Sequence, residues 1–174
     1  TVSARDWGKL SDRISETGLL RNIHTLTQPP AARVSLLMDA SFGIEPIFGI
    51  PDSVRNVSKP IRIYVEKHSS NADKILQKAC CDGSFQKTKL PKHAKECLRT
   101  ATEIKPSDHI EMTAALVGTG GVIDETASKT VNLAKTATIQ DVYDTFVLAP
   151  EKGLKNISVY RDGSYVDQPY NLSK

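Results

Sequence analysis

Several groupings of residues in this chain have the types and spacing to do chemistry. His93 and Cys97 stand one helical turn apart and, with Cys80 or Cys81, could offer zinc an imidazole and soft thiolates. Adjacent cysteines chelate poorly and the chain has no Cys-x-x-Cys, so buried thiols and a surface histidine are the expectation. Asp108 beside His109 could form an acid–base pair, but next to Ser107 it reads as the capped start of a helix. Gly118-Thr119-Gly120-Gly121 suggests a phosphate cradle. A true P-loop leads from a strand into a helix and carries Gly-Lys-Ser/Thr, whereas this run follows a helical pattern and is expected to stop it. Ser128-Lys129-Thr130 lacks the glycines of such a motif and reads as the entry to a strand. Asn56-Val57-Ser58, Asn156-Ile157-Ser158 and Asn171-Leu172-Ser173 fit the glycosylation pattern and are taken as coincidence, since no secretory signal accompanies them.

The elements that must position these residues are clearest from Ser128 to Ser164. Thr130 to Leu133 is a short β-branched run, and Thr138 with Asp141 three residues on has the spacing of a capping box. Val142, Phe146 and Ala149 then fall on one helical face, and Gly153 suits the left-handed position past a helix end. Asn156 to Tyr160 alternates as a strand, so the unit predicts a parallel crossover rather than a hairpin. Further back, Ser3 with Asp6 opens a helix bearing Trp7, Leu10 and Ile14 that Gly18 stops. Arg21 to Thr27 reads as a connector or short strand, Pro29-Pro30 breaks it, and Arg33 to Met38 reads as a buried strand. Ile61 to Val65 alternates as another strand; Ser70 opens a helix with Ile75, Leu76 and Ala79 that Gly83 ends. Pro91 suits a first helical position, and Ser107 is expected to cap a helix presenting Ile110, Met112, Ala115 and Leu116.

Composition bounds the function classes. The 174 residues, 39% hydrophobic and 25% charged, suffice for one globular domain with a real core, taken as 1–174. A net charge of +3 does not argue for nucleic acid, and the lysines between Lys87 and Lys105 have no interleaved aromatics to stack bases, so a solvated surface is expected there. No apolar run is long enough to cross a bilayer. Three cysteines make no disulfide framework, which favours a reducing, intracellular compartment: the cytoplasm, or an organelle such as the mitochondrion if Thr1 is a processed end.

The motifs also resemble a known family. Trp7, Gly18 and Arg21-Asn22, then Gly43-Ile44-Glu45-Pro46 with Phe48, Val54-Arg55-Asn56-Val57, Asp108-His109-Ile110 with Met112 and Ala114-Ala115, Asp124, and Ser128-Lys129-Thr130 fall in the order of the C-terminal part of adenosylcobalamin-dependent (class II) ribonucleotide reductase. The resemblance implies an α/β fold, a partial reductase-type barrel made of its C-terminal strands and helices. It implies that the radical cysteine and its neighbouring glutamate would precede Thr1, and it gives Cys80, Cys81 and Cys97 no redox role. It also places the substrate-phosphate loop at Pro30, Ala31, Ala32, Arg33, Val34 and Ser35, where family members carry hydroxyl residues at the positions of Ala31 and Arg33. An arginine can bind phosphate through a bidentate fork, yet its long side chain in a place for a small hydroxyl would fill the site.

With those departures the expectation is a catalytically silent reductase derivative that serves as a structural or assembly subunit, with other protein subunits covering the incomplete barrel. No cofactor is expected for this chain alone, and no catalytic residue or metal ligand is assigned. One alternative is the C-terminal segment of an active reductase, needing the upstream half and adenosylcobalamin. The other is a regulatory module that binds a nucleoside diphosphate or triphosphate through Arg33 and Ser35.

Overall fold

The computed structural model describes residues 24–165. The expected helix of Trp7, Leu10 and Ile14 and the Arg21-Asn22 motif lie outside the described residues, as does the chain after Tyr165.

The parallel scaffold has three strands' worth of chain. Residues 24–28 are extended and run beside 125–128, through Glu125 N–H to Leu26 O (3.2 Å), Gln28 N–H to Thr126 O (3.2 Å) and Ser128 N–H to Gln28 O (2.8 Å). The same second segment continues as β1 (Thr130–Leu133), which pairs in parallel with β2 (Ser158–Arg161) in the register Thr130 to Ser158 and Leu133 to Arg161. A further parallel bridge joins Ile47 to Thr100. Among the described residues the sheet has the two strands β1 and β2 and does not close.

Helix α1 (Ala32–Met38) follows the first strand. This overturns the expectation of a buried strand at Arg33 to Met38. Once the paired strand ends at Gln28 and Pro29-Pro30 removes two donors, the segment has no neighbour to ladder with and closes its own hydrogen bonds. Of its residues only Ser35 is buried, and Leu37 stands 86% exposed.

Between the Ile47 and Thr100 bridge partners sits a helical lobe: α2 (Lys59–His68), α3 (Ala72–Asp82) and α4 (Lys92–Cys97). The strand expected over Ile61 to Val65 is therefore helix. Pro60 sits in the first turn, where its missing N–H is harmless, and Ile61, Tyr64, Val65 and His68 recur at helical spacing. Helix α3 ends at Gly83 in the left-handed conformation (φ +66°), and Pro91 is the residue before α4 rather than its first turn. Val65, Leu76, Phe85, Ala94 and Leu98 share one core, with Phe85 fully enclosed. Lys87, Lys89 and Lys92 are exposed, while Lys95 reaches the Gln86 carbonyl at 3.3 Å.

Helix α5 (Pro106–Val117) begins one residue before the expected Ser107 cap, because Pro106 takes the first helical position. It buries His109, Ile110, Thr113 and Val117 rather than Met112, which lies half in solvent. Helix α6 (Ile139–Glu151) connects β1 to β2 and has the expected capping box: Thr138 Oγ1 accepts from Asp141 N–H at 3.2 Å, and the Asp141 carboxylate accepts from Thr138 N–H at 2.7 Å. Its buried residues are Thr145 and Ala149, with Val142 half-buried beside them; Phe146 falls outside this stripe and is half exposed. Gly153 follows the helix at φ +76° as expected. The 118–121 run is a helix stop built for close approach: a Cβ at Gly118 would lie 2.6 Å from the carbonyl oxygens of both Ala114 and Lys152.

Candidate functional site

The loop expected to hold phosphate, Pro30 to Ser35, leads off the carboxyl end of the first strand into α1. Open α/β folds place ligands outside the carboxyl ends of their strands. Pro30 and Arg33 are exposed, and Ala31 is half-buried. Ser35 is buried and turned inward: its hydroxyl donates to the Ala31 carbonyl within its own turn and also lies 3.1 Å from the Ala32 carbonyl. Of the expected loop residues, only the Arg33 side chain presents a charged donor group to solvent. Two shallow clefts, of about 340 and 300 Å³, lie elsewhere: one between the ends of α5 and α6, the other between residues 102–106 and the β1–α6 connection. Neither is lined by residues 30–35.

The residues that converge are others. Lys129, at the end of the 125–129 stretch, is a buried cation with 2% of its side chain exposed. Its three N–H donors are all used: Glu45 Oε2 at 2.8 Å, His109 Nδ1 at 2.8 Å and Thr130 O at 3.2 Å. The second Glu45 oxygen, Oε1, accepts from Thr130 N–H at 2.6 Å. His109 Nε2 lies 2.9 Å from the Ala101 carbonyl. An ammonium can only donate and a carbonyl can only accept, which assigns His109 as the neutral imidazole with its proton on Nε2. Burial pushes the His109 pKa below that of an ordinary histidine, and the Lys129 charge adds to the effect, against the opposing Ala101 carbonyl, Glu45 and Asp108.

Three separated motifs therefore meet at one atom, Lys129 Nζ. A cation out of water needs a carboxylate and full hydrogen bonding, and Glu45 with His109 supplies both. Reading Ser128-Lys129-Thr130 as strand entry is correct for the backbone but misses the knot. Reading Asp108-His109 as a helix cap is corrected: Asp108 lies in the first turn of α5, and His109 faces inward to Lys129. The available signal was a lysine immediately before a β-branched strand with a glutamate and a histidine in separate motifs, and it gave no distance between them.

Asp124 makes a second tie. Its carboxylate accepts from Leu26 N–H (2.8 Å), Thr25 N–H (3.0 Å) and Thr25 Oγ1 (3.0 Å), which holds its pKa below the usual carboxylate range. His93 and Cys97 stand a turn apart on α4, and His93 meets the ring of His68 edge-on at 5.3 Å. Cys80 is buried and Cys81 exposed; no group of three metal-ligating side chains comes together among the described residues.

Parallel pairing of β1 with β2 across the crossover helix α6, with the 30–35 loop following the Gln28–Ala127 bridge, defines a parallel α/β domain. A family description of the ribonucleotide reductase barrel domain matches residues 2–160, and this chain belongs to that family. The vitamin B12-dependent ribonucleoside-diphosphate reductase of Mycobacterium tuberculosis is 31% identical over 160 residues, covering 87% of this chain and 23% of that protein. The corresponding enzyme of Thermoplasma acidophilum is 28% identical over 153 residues, covering 83% of this chain and 20% of the relative. The chain thus spans between a fifth and a quarter of the length of these curated relatives. The fold is shared with the alpha subunit of a class Id ribonucleotide reductase from Actinobacillus ureae, at a TM-score of 0.68 and 22% identity over 92% of this chain and 30% of that one.

Proposed function

We propose that this chain is the phosphate-side segment of a vitamin B12-dependent ribonucleotide reductase barrel and acts together with the upstream part of that barrel. The observation that carries this reading is the position of residues 30–35 just past the parallel Gln28–Ala127 bridge, at the carboxyl end of that paired segment. In this role the chain binds and orients: the loop's backbone and Arg33 face the substrate phosphates, while the radical chemistry and the adenosylcobalamin site belong to the remainder of the barrel.

A second reading, the catalytically silent scaffold, is favoured by the loop's side chains. Ala31 and Arg33 stand where the family resemblance expects hydroxyls, and the Ser35 hydroxyl is spent on its own helix turn. One chimera separates the two. This chain replaces the matching segment of the Mycobacterium tuberculosis enzyme, and ribonucleoside diphosphate reduction is measured with adenosylcobalamin and a dithiol. Turnover by the chimera supports the first reading. A folded but inactive chimera that regains turnover with Ala31→Thr and Arg33→Thr identifies the loop as the lost function and supports the second. Inactivity that survives those changes overturns the first reading. For the module that binds nucleotide without turnover, nucleoside diphosphate binding by this chain must disappear in Arg33→Ala.

A further inference from the structure

The excursion from Pro29 to Ile44, which carries the loop and α1, starts and returns to nearly the same place. At its start Gln28 is laddered to residues 126–128, and at its end Glu45 is held by Lys129 and the Thr130 N–H. The two anchor points are about 10 Å apart along the strand, from the rise per residue of a β-strand. Between them Val34, Leu36, Leu37 and Met38 are all exposed, and Asp39 at the end of α1 meets Lys59 of α2 in an exposed ion pair at 3.7 Å. Glu45 is thus the anchor next to the excursion, two residues ahead of the Ile47–Thr100 bridge that holds the chain beyond it.

That anchor is built on a hydrogen bond only a neutral histidine can accept. With Nε2–H directed to Ala101 O, an added proton goes onto Nδ1, the atom facing Lys129 at 2.8 Å. A hydrogen bond then becomes a contact between two cations sharing one carboxylate, Glu45. The other charged group near the ring, Asp108, is exposed on the first turn of the histidine's own helix. Like charges at this distance in a buried setting repel by several times their strength in water.

We propose that His109, Lys129 and Glu45 form an acid-sensitive latch on the Pro29–Ile44 excursion: neutral His109 keeps Lys129 on Glu45, and protonation of Nδ1 displaces Lys129 and frees the Glu45 end. The proton comes from solvent and no bond other than N–H changes. Burial keeps the folded His109 pKa below its unfolded value, so the closed form binds fewer protons than the open one. Closure is complete above the ordinary histidine pKa of about 6.5 and is lost as pH falls through the lowered folded value. The latch is independent of which ligand the loop takes.

The reporter is the Thr130 amide, whose partner is the Glu45 carboxylate. In the full chain, nuclear magnetic resonance follows the His109 ring and the exchange protection of the Thr130 amide from about pH 7.5 down to about pH 4.5, bracketing the histidine range. Protection is expected to fall by up to about tenfold per pH unit as pH drops from about 6.5 toward the lowered value of the closed form, and to level off once the ring has titrated. His109→Gln keeps a donor and an acceptor but cannot titrate, and the step should vanish in it. A His109 ring that titrates with no change at Thr130 overturns the latch, and so does a step that persists in His109→Gln. If that variant does not fold, the wild-type correlation between ring and amide decides alone.

Discussion

Lys129 shows how far a single residue can be misjudged by its type. Lysine is ordinarily a solvated side chain, but here every donor on it is matched, and removing it would leave Glu45 Oε2 and His109 Nδ1, both acceptors, without their shared donor. Lys129→Met is expected to cost about 3 kcal/mol, the low end for breaking a buried pair from one side, read from urea unfolding. Adding Glu45→Gln to that variant should recover part of the loss, because the uncompensated carboxylate is then gone; a double variant worse than the sum of the singles would reject the pairing. The sequence motifs containing Glu45, His109 and Lys129 were legible, but their meeting was not. They lie up to 84 residues apart, and no local periodicity encodes a contact at that separation.

At the scale of elements, local chemistry was a reliable guide where it was self-contained. The Thr138–Asp141 box at the start of α6 is complete within four residues, and Thr138→Ala should destabilise the fold by about 1 kcal/mol in thermal or urea melts, the usual effect of losing a hydroxyl cap. A loss below a few tenths would mean that Asp141 alone satisfies the helix end. Phe85 sits at the centre of the helical lobe's core with none of its side chain exposed, so Phe85→Ala is expected to cost about 3–5 kcal/mol and to be the most damaging single truncation in α2–α4. The two strands misread as such, Arg33–Met38 and Ile61–Val65, have a common cause. A short apolar run is ambiguous between strand and helix by periodicity, and the deciding fact is whether a neighbouring strand is there to accept its hydrogen bonds. For Arg33–Met38 the pairing had already ended at Gln28; for Ile61–Val65 the proline at position 60 started a helix.

For the whole molecule, two helices carry large apolar side chains on their exposed faces. Val34, Leu37 and Met38 on α1 and Ile139, Tyr143 and Phe146 on α6 are large, apolar and uncovered, with Ile139 90% exposed. Surface of this kind on a chain covering about a quarter of its relatives is what the rest of a barrel, or a partner, would cover. The chain alone is therefore expected to self-associate with rising concentration in sedimentation experiments, and Leu37→Glu with Ile139→Glu should shift it toward monomer. A monomer at all concentrations in the unaltered chain would mean that these faces are solvated as they stand.

The sequence by itself determined the ancestry, the strand–helix–strand unit from Thr130 to Arg161, and the helix ends at Gly83, Gly118 and Gly153. Each depends on interactions within a few residues or on motif order, which a linear chain carries in full. Only the tertiary structure decided that α1 is a helix rather than a strand, that the Ser35 hydroxyl turns inward, and that Lys129 is buried between Glu45 and His109. Those outcomes depend on what lies across space from each residue: the presence of a pairing partner settles backbone hydrogen bonding, and the presence of a carboxylate settles whether a cation can leave water.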